Sequence, residues 1–163
     1  MAKGSIAPFE AMATEVPHAQ VFAVERSPEA HAWAARNTAS AENLTLVLGD
    51  LASAFDDLRG RAAVVISNPP YVPQSDLAAM HANVRGYEPP EALFVPDDDA
   101  LRFYRAIARA GRRMLRPGGK LYFEIYERSA GQMRLLLGEE GYTDTEVRED
   151  LNGKPRMVCS RMK

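Results

Sequence analysis

The sequence predicts an α/β fold: an open, mostly parallel sheet with an antiparallel edge at its carboxyl-terminal end. Three observations lead there. Short apolar runs alternate with helix-patterned segments along most of the chain. One of those runs, AAVVIS (62–67), is continuously apolar, the mark of a strand buried on both faces. The chain then closes on two strand-like stretches joined by Asn152-Gly153, a dipeptide that favours a hairpin turn.

Each element has its own local reason. IAPFEAMATEV (6–16) forms a helix in which Pro8 is tolerated, because first-turn amides have no helical acceptor. QVFAVE (20–25) is a strand ending in an acid. Ser27 and Pro28 then supply an N-cap and a first-turn proline for the helix PEAHAWAARNTA. LTLVLG (44–49) is a second strand, with Asp50 at its end, and AAVVIS a third. From Asn68 to Asp98 the chain is proline-rich and irregular, with a helical turn near SDLAAM; a loop of that length in a compact domain carries function or is disordered. Asp99 caps the next helix, in which Leu101, Tyr104, Ala108, Gly111 and Leu115 keep helical spacing. RPGG (116–119) ends it, KLYFEIY (120–126) is a strand, and RSAGQMRLLLGEEG is a helix closed by Gly141. The hairpin pairs TDTEVRED with PRMVCSR.

A chain of 163 residues, 46% apolar and 26% charged, suits one globular domain with a sizeable core. Its net charge of −2 gives no global attraction to nucleic acid or membrane. A lone cysteine, Cys159, excludes an internal disulfide, fits a reducing compartment and reads as a core residue. No apolar stretch approaches the roughly 20 residues of a membrane span, and MAKGSIAPFE lacks a signal peptide's apolar core, so the expected location is the cytoplasm. His18, His31 and His81 show no ligand spacing, and no metal is assigned. Trp33 reads as a core anchor or as part of a nucleotide-facing side. Arg102, Arg105, Arg109, Arg112, Arg113 and Arg116 read as a solvated helix face, with contact to RNA as the alternative.

In open α/β sheets ligands bind beyond the carboxyl ends of the strands. Glu25, Asp50, Asn68 and Glu124 all fall at such ends. Glu25 can accept hydrogen bonds from both hydroxyls of a ribose, or be a solvated acid near a helix N-terminus. Asp50 can accept from an adenine amino group, or simply cap a turn. Asn68 differs because Pro69 and Pro70 remove two backbone donors and hold the carbonyls around them extended. The result is a cluster of acceptors that suits a guest carrying an NH₂ group, with Tyr71 offering a flat face beside it. A plain proline turn explains the prolines but neither Asn68 nor Tyr71. An amide nitrogen held this way has its delocalised lone pair aimed at an electrophile, with its pyramidal transition state favoured.

Asn-Pro-Pro-Tyr at this place resembles the amino-methyltransferases that use S-adenosylmethionine, among them adenine-N6 DNA methylases. The residues around it narrow the match. AVERSPEAHAWAARN (23–37), GDL (49–51), VRGYEPPEALFVPDDDALRFYRAIARAGRRMLRPGGKLYFEI (84–125) and VREDLNGKPRMV (147–158) are similar to the glutamine N5-methyltransferases of peptide chain release factors. The resemblance runs over nearly the whole chain. It implies a Rossmann-like class I fold, S-adenosylmethionine as cofactor and a release factor as protein partner. By the same token Glu25 holds the cofactor ribose, Asp50 and Leu51 flank the adenine, Asn68, Pro69, Pro70 and Tyr71 grip the glutamine, and Asn68 also touches the cofactor. Arg85, Tyr87 and Glu88 lie on the loop that covers this place in the family, though a surface-loop reading stays open.

The resemblance also marks departures. The family begins with a helical domain, then a central first strand and a glycine-rich loop; this chain opens at Lys3-Gly4-Ser5-Ile6-Ala7, in the remains of that loop. The expectation is a single catalytic domain over 1–163, incomplete at its N-terminus. Gly4 and Ser5 remain as cofactor contacts, the cofactor's amino-acid end is weakened, and unpaired strand edges favour self-association. Two alternatives stay in view: an adenine-N6 nucleic-acid methyltransferase, which lacks a visible basic recognition segment here, and a non-catalytic remnant that only binds a partner.

Overall fold

A computed structural model describes residues 7–51, 53–79 and 93–163. The chain divides into two compact units, Met1–Ala54 and Phe55–Lys163.

The first unit opens with helix α1 (Ala7–Glu15) and continues into strand β1 (Val21–Glu25), helix α2 (Pro28–Asn37) and strand β2 (Leu44–Leu48). β1 and β2 run parallel from Val21 beside Leu44 to Glu25 beside Leu48. Ser27 caps α2 as its sequence predicts, its side chain accepting from the Ala30 amide at 3.3 Å with Pro28 in the first turn. Asn43 fastens the opposite end: its Nδ2 donates to the carbonyls of Ala13 at 3.1 Å and Ala19 at 2.9 Å. Ala13, Val21, Ala23 and Ala34 form the small core of this unit. Trp33 is not part of it. That ring is 51% exposed, and the Arg36 guanidinium lies over it at 5.1 Å. A tryptophan on a helix face that nothing in the unit covers stays at the surface, which corrects the core-anchor expectation.

The second unit is built on a four-stranded sheet of order β3-β6-β8-β7. Strand β3 (Ala62–Ser67) leads to β4 (Val72–Pro73) and a 3-10 segment (Gln74–Ala79). β5 (Phe94–Val95) pairs with β4 in parallel, and Asp97 accepts from both the Ser75 amide (3.0 Å) and the Ser75 hydroxyl (2.8 Å). Helix α3 (Arg102–Met114), strand β6 (Leu115–Glu124), helix α4 (Ala130–Glu139) and the hairpin β7 (Tyr142–Glu149) and β8 (Pro155–Met162) complete it. β3 and β6 are parallel, while β8 is antiparallel to both β6 and β7. The fold is α/β, as expected, with mixed pairing: among the described residues parallel ladders join β1 to β2, β3 to β6 and β4 to β5, while the four-stranded sheet of the second unit is antiparallel at two of its three ladders rather than mostly parallel.

From Gly119 in β6 to Tyr126 just beyond it, burial alternates residue by residue. Leu121, Phe123 and Ile125 are buried on one face, while Tyr122, Glu124 and Tyr126 are half-buried on the other. β3 does not follow the burial expected of a continuous apolar run. Val65 stands beside Leu121 in register, but Val64 stands beside Lys120 on the polar face and is 39% exposed. An apolar side chain is buried only where an element packs over its face.

The start of α3 also differs from expectation. Asp99 lies in a 3-10 turn (Asp97–Asp99) and the helix begins after Leu101 without a side-chain cap. The Asp99 carboxylate instead pairs with Arg105 at 3.1 Å. Arg109 is likewise engaged, donating to Glu140 at 2.9 Å, so the arginine stripe is partly spent on its own unit. RPGG, expected between helix and strand, lies inside β6, which begins at Leu115 directly after the helix; Gly119 is required there, since a Cβ would stand 2.9 Å from the Arg116 carbonyl and 3.2 Å from that of Ala62. Among the described residues no helix is long and apolar enough to cross a membrane.

Candidate functional site

Asn68 is the first residue beyond β3, one step past the ladder's last pair, Ser67 and Phe123. Pro69 is buried and Asn68 exposed, so the prolines anchor the turn and leave the asparagine presented at the strand end. The Asn68 amide has no hydrogen-bond partner among the described residues. Tyr71, half-buried, donates its hydroxyl to Glu124 Oε1 at 2.9 Å. Burial first, then the charge and hydrogen bond of Glu124, push the Tyr71 hydroxyl up to about 12, so it remains a donor across the ordinary pH range.

Glu124 closes β6 and receives support from three directions. Tyr104, rising from α3, donates to the Glu124 backbone carbonyl at 3.0 Å; burial pushes the Tyr104 hydroxyl far above its ordinary value. Arg156 on β8 interacts electrostatically with both Glu124 and Tyr71. Arg156 is itself held by Asp150 at 3.3 Å. Asp150 also accepts from the amides of Asn152 (2.8 Å) and Lys154 (3.1 Å), which fixes the hairpin turn and holds its carboxyl below the usual range.

A second tyrosine–carboxylate pair lies alongside. Tyr126 donates to Asp76 Oδ2 at 2.6 Å, and that hydrogen bond is the main cause of its raised hydroxyl pKa. The Tyr71 and Tyr126 rings are near-parallel, 22° apart in plane with centroids separated by 6.4 Å. The segment after the two prolines is thus fastened twice to the end of β6.

Sequence reasoning placed Asn68 and Glu124 at strand ends and gave Tyr71 a role, but it missed Asp76, Tyr126 and Arg156. A signal for Tyr126 was present: in KLYFEIY the polar face reads Tyr122, Glu124, Tyr126 at period two. Asp76 and Arg156 come from remote segments, and nothing in local spacing links them to Tyr71.

In the first unit, Glu25 ends β1, and its Oε1 accepts from the Ser27 amide at 2.7 Å. The second carboxylate oxygen has no hydrogen-bond partner among the described residues, so the acid is oriented and still has acceptor capacity for a diol. Asp50 is exposed, and its carbonyl accepts from Ala54 N at 2.8 Å in the turn that begins at Leu51. A cavity of about 630 Å³ in this unit is lined by Glu10, Thr14, Gln20, Asn37 and Asn43 among others. Gln20 and Asn43 precede β1 and β2, so this cavity belongs to the amino ends of the strands, away from Glu25. Gly4, Ser5, Arg85, Tyr87 and Glu88 lie outside the described residues.

No protein-family model matches the chain. Curated relatives do. The chain is 43% identical over 147 residues to the release factor glutamine methyltransferase of Bacteroides thetaiotaomicron, an alignment covering 89% of this chain and 52% of that protein. It is 38% identical to the protein of the same name from Streptomyces coelicolor, over 93% of this chain and 53% of the relative. The chain is thus a homologue of release factor glutamine methyltransferases along the aligned stretch, and it spans about half the length of the curated relatives it matches. Among solved structures it is similar to a predicted O-methyltransferase from Agrobacterium tumefaciens, with a TM-score of 0.64 at 18% identity, covering 93% of this chain and 66% of that one. A methyltransferase from Pyrococcus furiosus gives a TM-score of 0.61 at 17% identity, covering 92% of this chain and 66% of that one. The fold is that of the Rossmann-like class I methyltransferases.

Proposed function

We propose, from the homology to release factor glutamine methyltransferases, that this chain carries the catalytic end of an enzyme that methylates the side-chain amide nitrogen of a glutamine in a peptide chain release factor. The cofactor of such an enzyme is S-adenosylmethionine, which supplies an electrophilic methyl group when bound. The donor set fits it as far as the described residues reach. Glu25 has an oriented carboxylate with capacity for the ribose hydroxyls, and Asp50 and Leu51 would flank the adenine; Gly4 and Ser5, which the resemblance assigns to the cofactor, and Arg85, Tyr87 and Glu88, which it assigns to the substrate loop, lie outside the described residues.

The observation that carries this reading is the exposed Asn68 amide directly after β3, followed three residues later by the Tyr71 ring held by Glu124. An amide nitrogen is a weak nucleophile because its lone pair is shared with the carbonyl. The Asn68 side-chain oxygen and the carbonyl next to Pro69 accept the two amide hydrogens, which aims the lone pair out of the amide plane. Tyr71 supports the plane itself. Acceptors set in advance stabilise the pyramidal transition state more than the planar ground state. The proton becomes acidic only once the nitrogen is alkylated, so no strong base is required.

The test is methylation of a release factor by the chain with methyl-labelled cofactor, read by mass spectrometry of the glutamine-bearing peptide. The expected product is a singly methylated glutamine. Asn68→Ala lowers the rate by about 10²–10³-fold, the usual consequence of losing one acceptor at a reacting centre, and leaves cofactor binding mostly intact. A turnover unchanged by Asn68→Ala contradicts the amide grip. Label recovered in nucleic-acid adenine instead selects the second reading of the motif.

A further inference from the structure

Tyr71 and Glu124 lie 53 positions apart in sequence and meet at 2.9 Å beside the amide site. We propose that Glu124 is a positioning residue for that site: through the Tyr71 hydroxyl it sets the plane of the ring against which the glutamine side chain lies. This role rests on the proposed function and deepens it.

The prolines account for the backbone of the turn but not for the ring. Pro70 restricts the residue before it, whereas the side-chain torsions of Tyr71 are free of that constraint. Without a hydroxyl partner a half-buried ring at a strand end samples more than one orientation. The Glu124 carboxylate removes that freedom, and its own place is over-determined. Tyr104 holds the Glu124 backbone at 3.0 Å, the adjacent Ile125 amide donates to the Arg156 carbonyl at 2.9 Å, and the Arg156 charge faces the carboxylate. A phenylalanine would fill the same volume at position 71 with no half-buried carboxylate to desolvate, so packing alone does not call for this pair. The arrangement is also repeated: Asp76 holds Tyr126 at 2.6 Å, and that ring lies near-parallel to Tyr71. A residue that reaches the proposed amide site only through the Tyr71 ring thus controls its geometry, and a misplacement on the order of 1 Å at such a site costs about 10²-fold in rate.

Two measurements on the full chain test this. In steady-state methylation of a release factor, Tyr71→Phe and Glu124→Leu each lower kcat by about 10–100-fold with the KM for the cofactor unchanged. The double variant is no slower than either single one, as expected of two groups acting through one bond. Glu124→Gln keeps an acceptor for the hydroxyl and recovers most of the rate. If Glu124→Leu does not fold, Tyr71→Phe against Glu124→Gln carries the comparison.

The second measurement is alkaline titration of tyrosinate absorbance. The component lost in Tyr71→Phe identifies the Tyr71 hydroxyl, pushed up to about 12 by burial and by Glu124 and expected among other raised tyrosines; that component moves down in Glu124→Gln, where the negative charge is gone and burial remains. The sign for stability follows, since a hydroxyl raised in the folded state contributes fully below about pH 10 and loses that contribution as pH climbs toward 12. An unaltered kcat in Glu124→Leu, additive losses in the double variant, or an unmoved titration in Glu124→Gln overturns the role of Glu124 while the proposed function stands. No methylated glutamine from the unaltered chain overturns the proposed function and this role together.

Discussion

β3 and β6 are partners in one parallel ladder, yet only one of them buries what its sequence offers. β6 lies between β3 and β8, alternates apolar and polar residues, and buries Leu121 and Phe123 to 1% exposure or less. β3 is apolar on both faces and has one paired neighbour among the described residues, with Val64 at 39% exposure. The difference teaches that an apolar run records what a strand is built to face, while burial depends on which elements are packed there. It also bears on the proposed site. Glu124 ends the polar face of β6 with Tyr126 two residues beyond it, and Asn68 follows the end of β3, so the proposed site lies where a one-faced strand adjoins a two-faced one.

The largest effect that sharpens this comparison is at Leu121. Its side chain is fully buried between neighbouring strands and α3, so Leu121→Ala loses transfer free energy and opens a cavity. The expected loss is about 2–5 kcal/mol in denaturant unfolding of the chain. A loss below about 1 kcal/mol would mean that the core face of β6 is not the centre of the second unit.

An intermediate effect belongs to the joint between α3 and the sheet. A Cβ on Gly111 would stand 2.7 Å from the Tyr142 hydroxyl, which donates to the Ala108 carbonyl at 2.8 Å. Gly111→Ala therefore costs about 1–3 kcal/mol through overpacking, although alanine is the better helix former. In a Tyr142→Phe background the obstructing oxygen is gone, and the same substitution becomes neutral or stabilising. Thermal melts of the two single variants and the double variant read the sign change directly.

Much of this fold was legible before any coordinates, and the reasons differ by element. α2 could be placed from Ser27 and Pro28 because capping is local chemistry. The hairpin followed from Asn152-Gly153, and Gly153 does adopt a positive φ of 73°. Asp99 was misread because its side chain had two outlets, the helix start and Arg105, and sequence spacing does not rank them. Trp33 was misread because aromatic size predicts burial only where a partner face exists. At the proposed site, Asn68 and Tyr71 are singled out by the doubled proline. Asp76 and Arg156 were not, since they reach it through tertiary packing from separate segments.

The smallest effect is the most direct probe of the contrast between the strands. Val64 shares its face with Lys120 in the β3–β6 register, and its exposed side chain has little transfer free energy to lose. Val64→Ala is expected to cost about 0.5 kcal/mol, most of it β propensity. Val64→Thr is the stricter test, because it keeps the branched shape and adds only a hydroxyl. On a buried face that hydroxyl lacks a partner and costs about 1–3 kcal/mol, whereas on a solvated face it costs almost nothing. Near-neutral stability in both variants, measured against the large loss in Leu121→Ala, upholds the division between a strand that fills its faces and one that does not. A Val64→Thr penalty comparable to that of Leu121→Ala would mean that this face of β3 is covered in solution and that the two strands are equivalent after all.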